Sequence, residues 1–358
     1  MLRFAAVADL LGDAVARRVF PCATIEVGGR DEVYWGHACG TLSYDDESAA
    51  ATLDTVFDLA SLTKVLATTT LVMQAVDAGA LRLDEPVGRW LDEWRGEDRS
   101  AVTVADLLEH AGGLTAHLPF FLDHRGRGEF QHAICTLPLE YRPRSRSLYS
   151  DLGFILLAFL IPDAAGNKSI PVPIPIDIQF DQLARRLKLG DLRYRPPAAW
   201  RPRTAPTEVD LWRGRLLHGE VHDENGWALG GVAGHTGLFG TAPAVGRFAR
   251  ALLETLAGTA RLAAPATLAR FLQHSTVPAS SRALGWDTML VTSSCGHHLS
   301  PDAFGHTGFT GTSLWIDPSQ DLYVVLLTNR VHPTRNNDAI LEVRPAVHDA
   351  VVEALSGR

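Results

Sequence analysis

Between Lys64 and Asp77 the chain runs Val65-Leu66-Ala67-Thr68-Thr69-Thr70-Leu71-Val72-Met73-Gln74-Ala75-Val76 without a charged side chain, and Gly79 follows as a natural C-terminal stop. Apolar or small residues fall on every face of such a segment, so as a helix it must be buried on all sides. That demands a core large enough to surround it. A chain of 358 residues, 46% hydrophobic, can build one. Buried helices seldom carry a lysine. Here Lys64 lies one turn beyond Ser61 in Phe57-Asp58-Leu59-Ala60-Ser61-Leu62-Thr63-Lys64, so its amine reaches the Ser61 hydroxyl where the helix N-terminus presents free N–H groups. Ser61 becomes a nucleophile if Lys64 accepts its proton, and desolvation at a buried helix start is expected to push the amine toward neutrality. Alone, the same four residues also describe a serine N-cap followed by a snorkelling lysine.

The formal charge of -8 argues against a nucleic-acid surface, and no apolar run is long enough to span a membrane. A small molecule is the expected partner. The first thirteen residues carry acids within what would be the apolar core of a signal peptide and read as an amphipathic helix, which places the protein in the cytoplasm. Cys22, Cys39, Cys135 and Cys295 form no C-x-x-C and suit reduced thiols.

Along the chain, Ala23–Val27 and Glu32–His37 flank a Gly-Gly-Arg-Asp turn and predict an antiparallel hairpin. Thr103-Val104-Ala105-Asp106 opens a helix with a capping box, and the stretch 117–148, rich in Arg, Pro, Gly and His, reads as long loops. Asp151 is suited to N-cap a helix over Leu152–Ile161 that Pro162 ends. Ile170–Ile176 alternates proline with β-branched residues and predicts an extended crossing. Glycine-dense loops occupy 219–240, strands return at Thr312–Asp317 and Leu322–Asn329, and a last helix covers Pro345–Leu355. Strands at both ends with helices between imply an α/β fold plus an inserted all-α region: an antiparallel sheet from N- and C-terminal strands, flanked by terminal helices. Residues 1–60 with 295–358 form the expected sheet domain and 61–294 the helical one, with the active site in the cleft between them.

Three motifs stand in one order: Ser61-Leu62-Thr63-Lys64, Tyr149-Ser150-Asp151 and His306-Thr307-Gly308. With them the chain resembles the serine β-lactamase, penicillin-binding protein and family VIII esterase superfamily, especially its class C-like branch. The likeness extends through Leu83–Val87, Thr103–Leu114, Asp151–Leu157, Gly230–Phe239 and Gly305–Asn329. The resemblance implies a β-lactamase/transpeptidase-like fold and a cofactor-free serine hydrolase, with Ser61 acylated, Lys64 its proton partner and Tyr149 the second member of the acid/base pair. A phenol acts as a base near neutrality only where an ammonium favours its phenolate, and Lys64 would be that ammonium. By the same resemblance the backbone N–H groups of Ser61 and Phe309 form the oxyanion hole, while Asp151, His306, Thr307 and Gly308 bind substrate.

Two positions depart from the family pattern. His306 stands where lysine is usual, exchanging a permanent cation for one expected to titrate near neutrality. Asp151 stands where asparagine is usual, losing a donor and adding negative charge. Both weaken the case for a carboxylate-bearing substrate and favour small esters, with a D-alanyl-D-alanine carboxypeptidase or β-lactamase as the alternative. From another class, the scaffold would serve as a catalytically silent interaction or assembly protein. His218 and His222 stand at i, i+4 spacing with Asp223 and Glu224 following, but no H-E-x-x-H accompanies them and no metal is expected.

Overall fold

The computed structural model describes residues 2–165 and 174–357. Its main sheet has six strands, all antiparallel, in the order Val33–Gly40, Cys22–Gly28, Leu322–Thr328, Ser313–Asp317, Phe304–Thr307, Asp287–Thr288. The last long strand therefore lies beside the first, with Ile25 opposite Leu326. Both central strands are buried throughout, and their alternation assigns each face a separate core. Ala23, Ile25, Val27, Val324 and Leu326 pack with the first helix, Ala5–Ala16, and the last, Ile340–Ser356. Tyr323, Val325 and Leu327 face the other way, into a larger core shared with the helix Ala242–Leu256 and the helical region beyond it. Glu26 is buried on that second face. The Tyr323 hydroxyl donates to it at 2.8 Å and itself accepts from Arg250 at 2.7 Å. Gly246 lets the helix come this close, since a Cβ there would lie 1.8 Å from Glu26 Oε1.

The hairpin forms as expected, with a bulge between Val27 and Gly28. Cys22 pairs with Gly40 and Cys39 with Ala23, so the two cysteines are not opposite one another, and all four thiols are free. The Thr103–Asp106 capping box is present, its carboxylate accepting from the Thr103 N–H at 2.8 Å. Four expectations need correction. The helix Asp151–Ala165 runs through Pro162, because one missing N–H costs less than breaking a segment buried from Leu152 to Ile161. The last helix starts at Ile340 and holds Pro345 near its beginning. The stretch 117–148 contains a helix, Gly126–Thr136, which buries Phe130 and Ile134. Asp151 does not cap its helix but opens it, with its carboxylate turned to Lys64. The proline-rich segment from Ile170 lies mostly outside the described residues, which resume at Ile174 and enter the helix Ile176–Arg186. Among the described residues no helix is long and apolar enough to cross a membrane.

Candidate active site

Ser61 follows a turn fixed from several sides. Ala60 takes a left-handed φ of 46°, unfavourable for an L-residue, and is held there by its N–H to Asp58 Oδ1 at 2.9 Å. The other Asp58 oxygen accepts from the His222 N–H at 2.7 Å, and burial pushes this carboxyl above its ordinary range. Thr310 Oγ1 donates to the Asp58 carbonyl at 2.7 Å and Thr312 Oγ1 to that of Leu59 at 3.0 Å. These bonds tie the loop after His306-Thr307-Gly308 to the turn before Ser61. Gly308 is necessary there, because a Cβ would meet Thr312 Oγ1 at 2.1 Å and the Leu59 carbonyl at 2.6 Å. Phe309 is thereby brought beside the Ser61 turn. Among the described residues neither the Ser61 nor the Phe309 N–H has a hydrogen-bond acceptor.

The helix begins at Leu62 and is π-helical over Lys64–Thr69 before Thr70–Asp77 continues as α-helix. Its start is sealed by the glycine-rich loop: Thr68 Oγ1 donates to the Gly234 carbonyl at 2.6 Å and Lys64 Nζ to that of His235 at 3.2 Å. Lys64 is fully buried, with Nζ 2.9 Å from Ser61 Oγ, 2.7 Å from Asp151 Oδ1 and 4.8 Å from the centre of the Tyr149 ring. Desolvation alone would drive this amine toward neutrality, but Asp151, with Tyr149, outweighs it and holds the ammonium above the ordinary lysine range. The expected push toward neutrality is therefore corrected: the carboxylate in the asparagine position offsets it and favours the charged amine, in keeping with Lys64 as the ammonium beside Tyr149. Asp151, despite its own burial, is held far below the usual carboxylate range by Lys64 and His117.

His306 is corrected as well. Burial, reinforced by the cations Arg282 and Lys64, keeps its imidazole neutral well below the ordinary histidine range. Its Nδ1 lies 2.8 Å from the Thr307 carbonyl, which only accepts, so the proton sits on Nδ1 and Nε2 is a buried acceptor without a partner among the described residues. His110, which also packs on Tyr149, accepts the Ser150 N–H at its Nδ1, 3.0 Å away, and burial holds that ring well below the ordinary histidine range too. The two rings lie 4.7 Å (His110) and 5.8 Å (His306) from the Tyr149 ring, and the Arg282 guanidinium 5.2 Å from it.

One cavity of about 540 Å³ joins these groups. Ser61, Tyr149, Asp151, His306, Thr307, Gly308 and Phe309 all line it. Beyond the motifs the wall also holds His117, Asp223, His235, Arg282 and Arg344. They come from separate segments and carry no motif, and only the density of polar residues near 219–240 pointed to two of them. His218 and His222 do not share a helix face, since Gly219 turns the chain at φ 76° between them. His218 Nε2 meets the Thr204 carbonyl at 2.8 Å and His222 Nε2 meets Glu208 at 2.9 Å. Asp151, Asp223 and His235 offer atoms within 4.8 Å of one another, close enough for one ion. His235 Nε2 is engaged by Asp223 at 3.0 Å, however, and a dication beside Asp151 would face the Lys64 ammonium, so the cluster reads as an ion-pair network.

Residues 7–347 match the model of the Beta-lactamase family. A "Putative D-alanyl-D-alanine carboxypeptidase" of Escherichia coli O157:H7 is 29% identical over 314 residues, 79% of this chain and 70% of that one. An "N-acetylmuramyl-L-alanine amidase" of Bacillus subtilis (strain 168) is 30% identical over 318 residues, 78% of this chain and 68% of the relative. Among solved structures, unliganded simvastatin synthase (LovD) from Aspergillus terreus superposes with a TM-score of 0.76 at 17% identity, covering 99% of both chains.

Proposed function

The chain belongs to the Beta-lactamase family, and on that premise we propose that it is a serine hydrolase that forms an acyl-enzyme on Ser61. The observation that carries this reading is the buried Lys64 amine 2.9 Å from Ser61 Oγ, with Ser61 and Tyr149 on the wall of one cavity. Lys64 and Tyr149 act as one acid/base pair sharing a proton: the pair takes the Ser61 proton as Oγ attacks the carbonyl and returns it to the leaving group. The N–H groups of Ser61 and Phe309 receive the oxyanion, and Thr307 and Gly308 lay the substrate along the strand edge. The chemistry needs no cofactor.

A neutral His306 and an anionic Asp151 support small, uncharged esters as substrates, a carboxylesterase-like activity. One observation favours the second reading, a D-alanyl-D-alanine carboxypeptidase or β-lactamase. Arg344 is buried on the cavity wall, and among the described residues its Nε has no partner and Nη2 has only the Thr312 carbonyl at 3.4 Å. Burial and the neighbouring Arg330 push its guanidinium down to about 10, as expected of a cation short of an anion. The test is the ratio of kcat/KM for p-nitrophenyl acetate to that for a D-alanyl-D-alanine peptide and nitrocefin, in wild type and Arg344→Gln. The ester reading expects the acetate to be preferred and Arg344→Gln to leave that preference in place. A wild-type preference for the anionic substrates that collapses in Arg344→Gln contradicts it and establishes the second reading.

A further inference from the structure

A carboxylate at position 151 creates a difficulty for the acid/base pair. With Oδ1 2.7 Å from Nζ, Asp151 favours the charged form of Lys64, and an ammonium cannot accept the Ser61 proton. The neighbouring chain is built to offset that charge. Ser150 Oγ donates to the Thr115 carbonyl at 2.7 Å and the Asp151 N–H to the Ala116 carbonyl at 2.9 Å. These two bonds pin residues 115–116 to the start of the helix and deliver His117 to Asp151. His117 Nδ1 lies 3.7 Å from Oδ2, the oxygen that Lys64 does not hold. Its side chain is 44% exposed while that of Lys64 is 0% exposed, so His117 exchanges protons with solvent and Lys64 does not.

We propose that His117 is a positioning residue that shares the charge of Asp151 with Lys64, so that a protonated imidazole loosens the hold on the buried ammonium and lets the Lys64–Tyr149 pair accept the Ser61 proton. The inference rests on the acyl-enzyme reading. No proton passes to His117 during the step: the Ser61 proton goes to the pair, the Oγ–carbonyl bond forms, and only the field at Asp151 differs. The groups facing His117 are Asp151, Asp223 and Glu224, and together they hold its imidazole above the ordinary histidine range, Asp151 most strongly. Asp223 is engaged by His235 and Glu224 by Arg335 at 2.7 Å, whereas Asp151 has only Lys64 and His117 as close ionic partners among the described residues.

By sign, an added positive charge lowers the proton affinity of a nearby acid/base pair, and losing that charge raises it. The second-order rate of fluorophosphonate labelling at Ser61, followed from pH 5.5 to 10.5, has a rising limb that belongs to the coupled Lys64–Tyr149 pair and not to Lys64 alone. The full-length protein is compared with His117→Gln, His117→Arg, Asp151→Asn and the Asp151→Asn/His117→Gln double variant. His117→Gln is expected to move the limb up by about one pH unit. His117→Arg, a permanent cation, keeps it at or below the wild-type position. In the Asp151→Asn background His117→Gln has no effect, because no carboxylate remains to be shared. Coincident limbs for wild type and His117→Gln, with Ser61 still labelled, overturn the inference alone, as does an undiminished shift in the Asp151→Asn background. Absence of label from Ser61 in wild type overturns the acyl-enzyme reading and the inference with it.

Discussion

Removing Lys64 has two consequences that a motif alone does not separate. Lys64→Ala deletes half of the proposed acid/base pair and also strands Asp151, whose carboxylate is held low chiefly by the Lys64 charge. Lys64→Ala is therefore expected to lower the melting temperature as well as kcat, and Asp151→Asn added to it should restore part of the stability and none of the activity. Tyr149→Phe is the cleaner probe, since it removes one hydroxyl from a partly buried ring. It should reduce kcat by about 10² or more with an unchanged melting temperature, the usual worth of an acid/base group. Near-wild-type turnover in a folded Tyr149→Phe protein would show that the proton goes elsewhere. That Ser61, Lys64 and Tyr149 come together was legible because each sits in a short motif. Their protonation states were not. Asp151, far along the sequence, favours the charged lysine, and burial, with the cations Arg282 and Lys64, holds His306 below the ordinary histidine range.

One glycine sets how closely the loop and helix beside the nucleophile approach. Gly234 rests on the helix Asp151–Ala165, where a Cβ would lie 2.0 Å from the Phe154 carbonyl. Its own carbonyl accepts from Thr68, and that of His235 accepts from Lys64. Gly234→Ala must therefore push a helix backbone or a loop backbone away from the nucleophile helix, at a cost of about 1–3 kcal/mol, with a loss of kcat larger than the stability change explains. Urea unfolding beside steady-state kinetics measures both, and an unchanged denaturation midpoint would mean that the loop has slack. The glycine density of 230–237 was visible in the sequence as a close-packing signal, and the hairpin and capping box were legible from local turn and cap chemistry. Pro162 inside a helix and the π-helical turns at Lys64–Thr69 were not, because burial overrides local preference there.

The whole molecule carries a second pH dependence, separate from catalysis. His110, His306, His332 and His348 are buried and held below the ordinary histidine value by desolvation, His348 to about 4. A histidine depressed in the folded state is neutral there while the unfolded chain binds a proton below about pH 6.5, so its stabilising contribution is present above that pH and is lost as pH falls. Stability is expected to fall from pH 6.5 toward pH 4, with a slope of about 1.4 kcal/mol per pH unit for each such group where the unfolded chain is protonated and the native state is not. Urea midpoints across that range test it, and a flat profile would mean that these rings are protonated in the native protein. The architecture itself was legible from strands at both ends of the chain with helices between, since the first and last long strands must meet to complete one sheet. Two cations of the cavity wall were not, because Arg282 and Arg344 join Ser61 around it only in the closed fold.

The central claim is that Ser61 alone carries the acyl group. Intact mass and peptide mapping after treatment with a fluorophosphonate test it most directly. The account predicts a single adduct on the peptide containing Ser61, absent from Ser61→Ala and abolished by heat unfolding before labelling. A stoichiometric adduct that survives Ser61→Ala would contradict it.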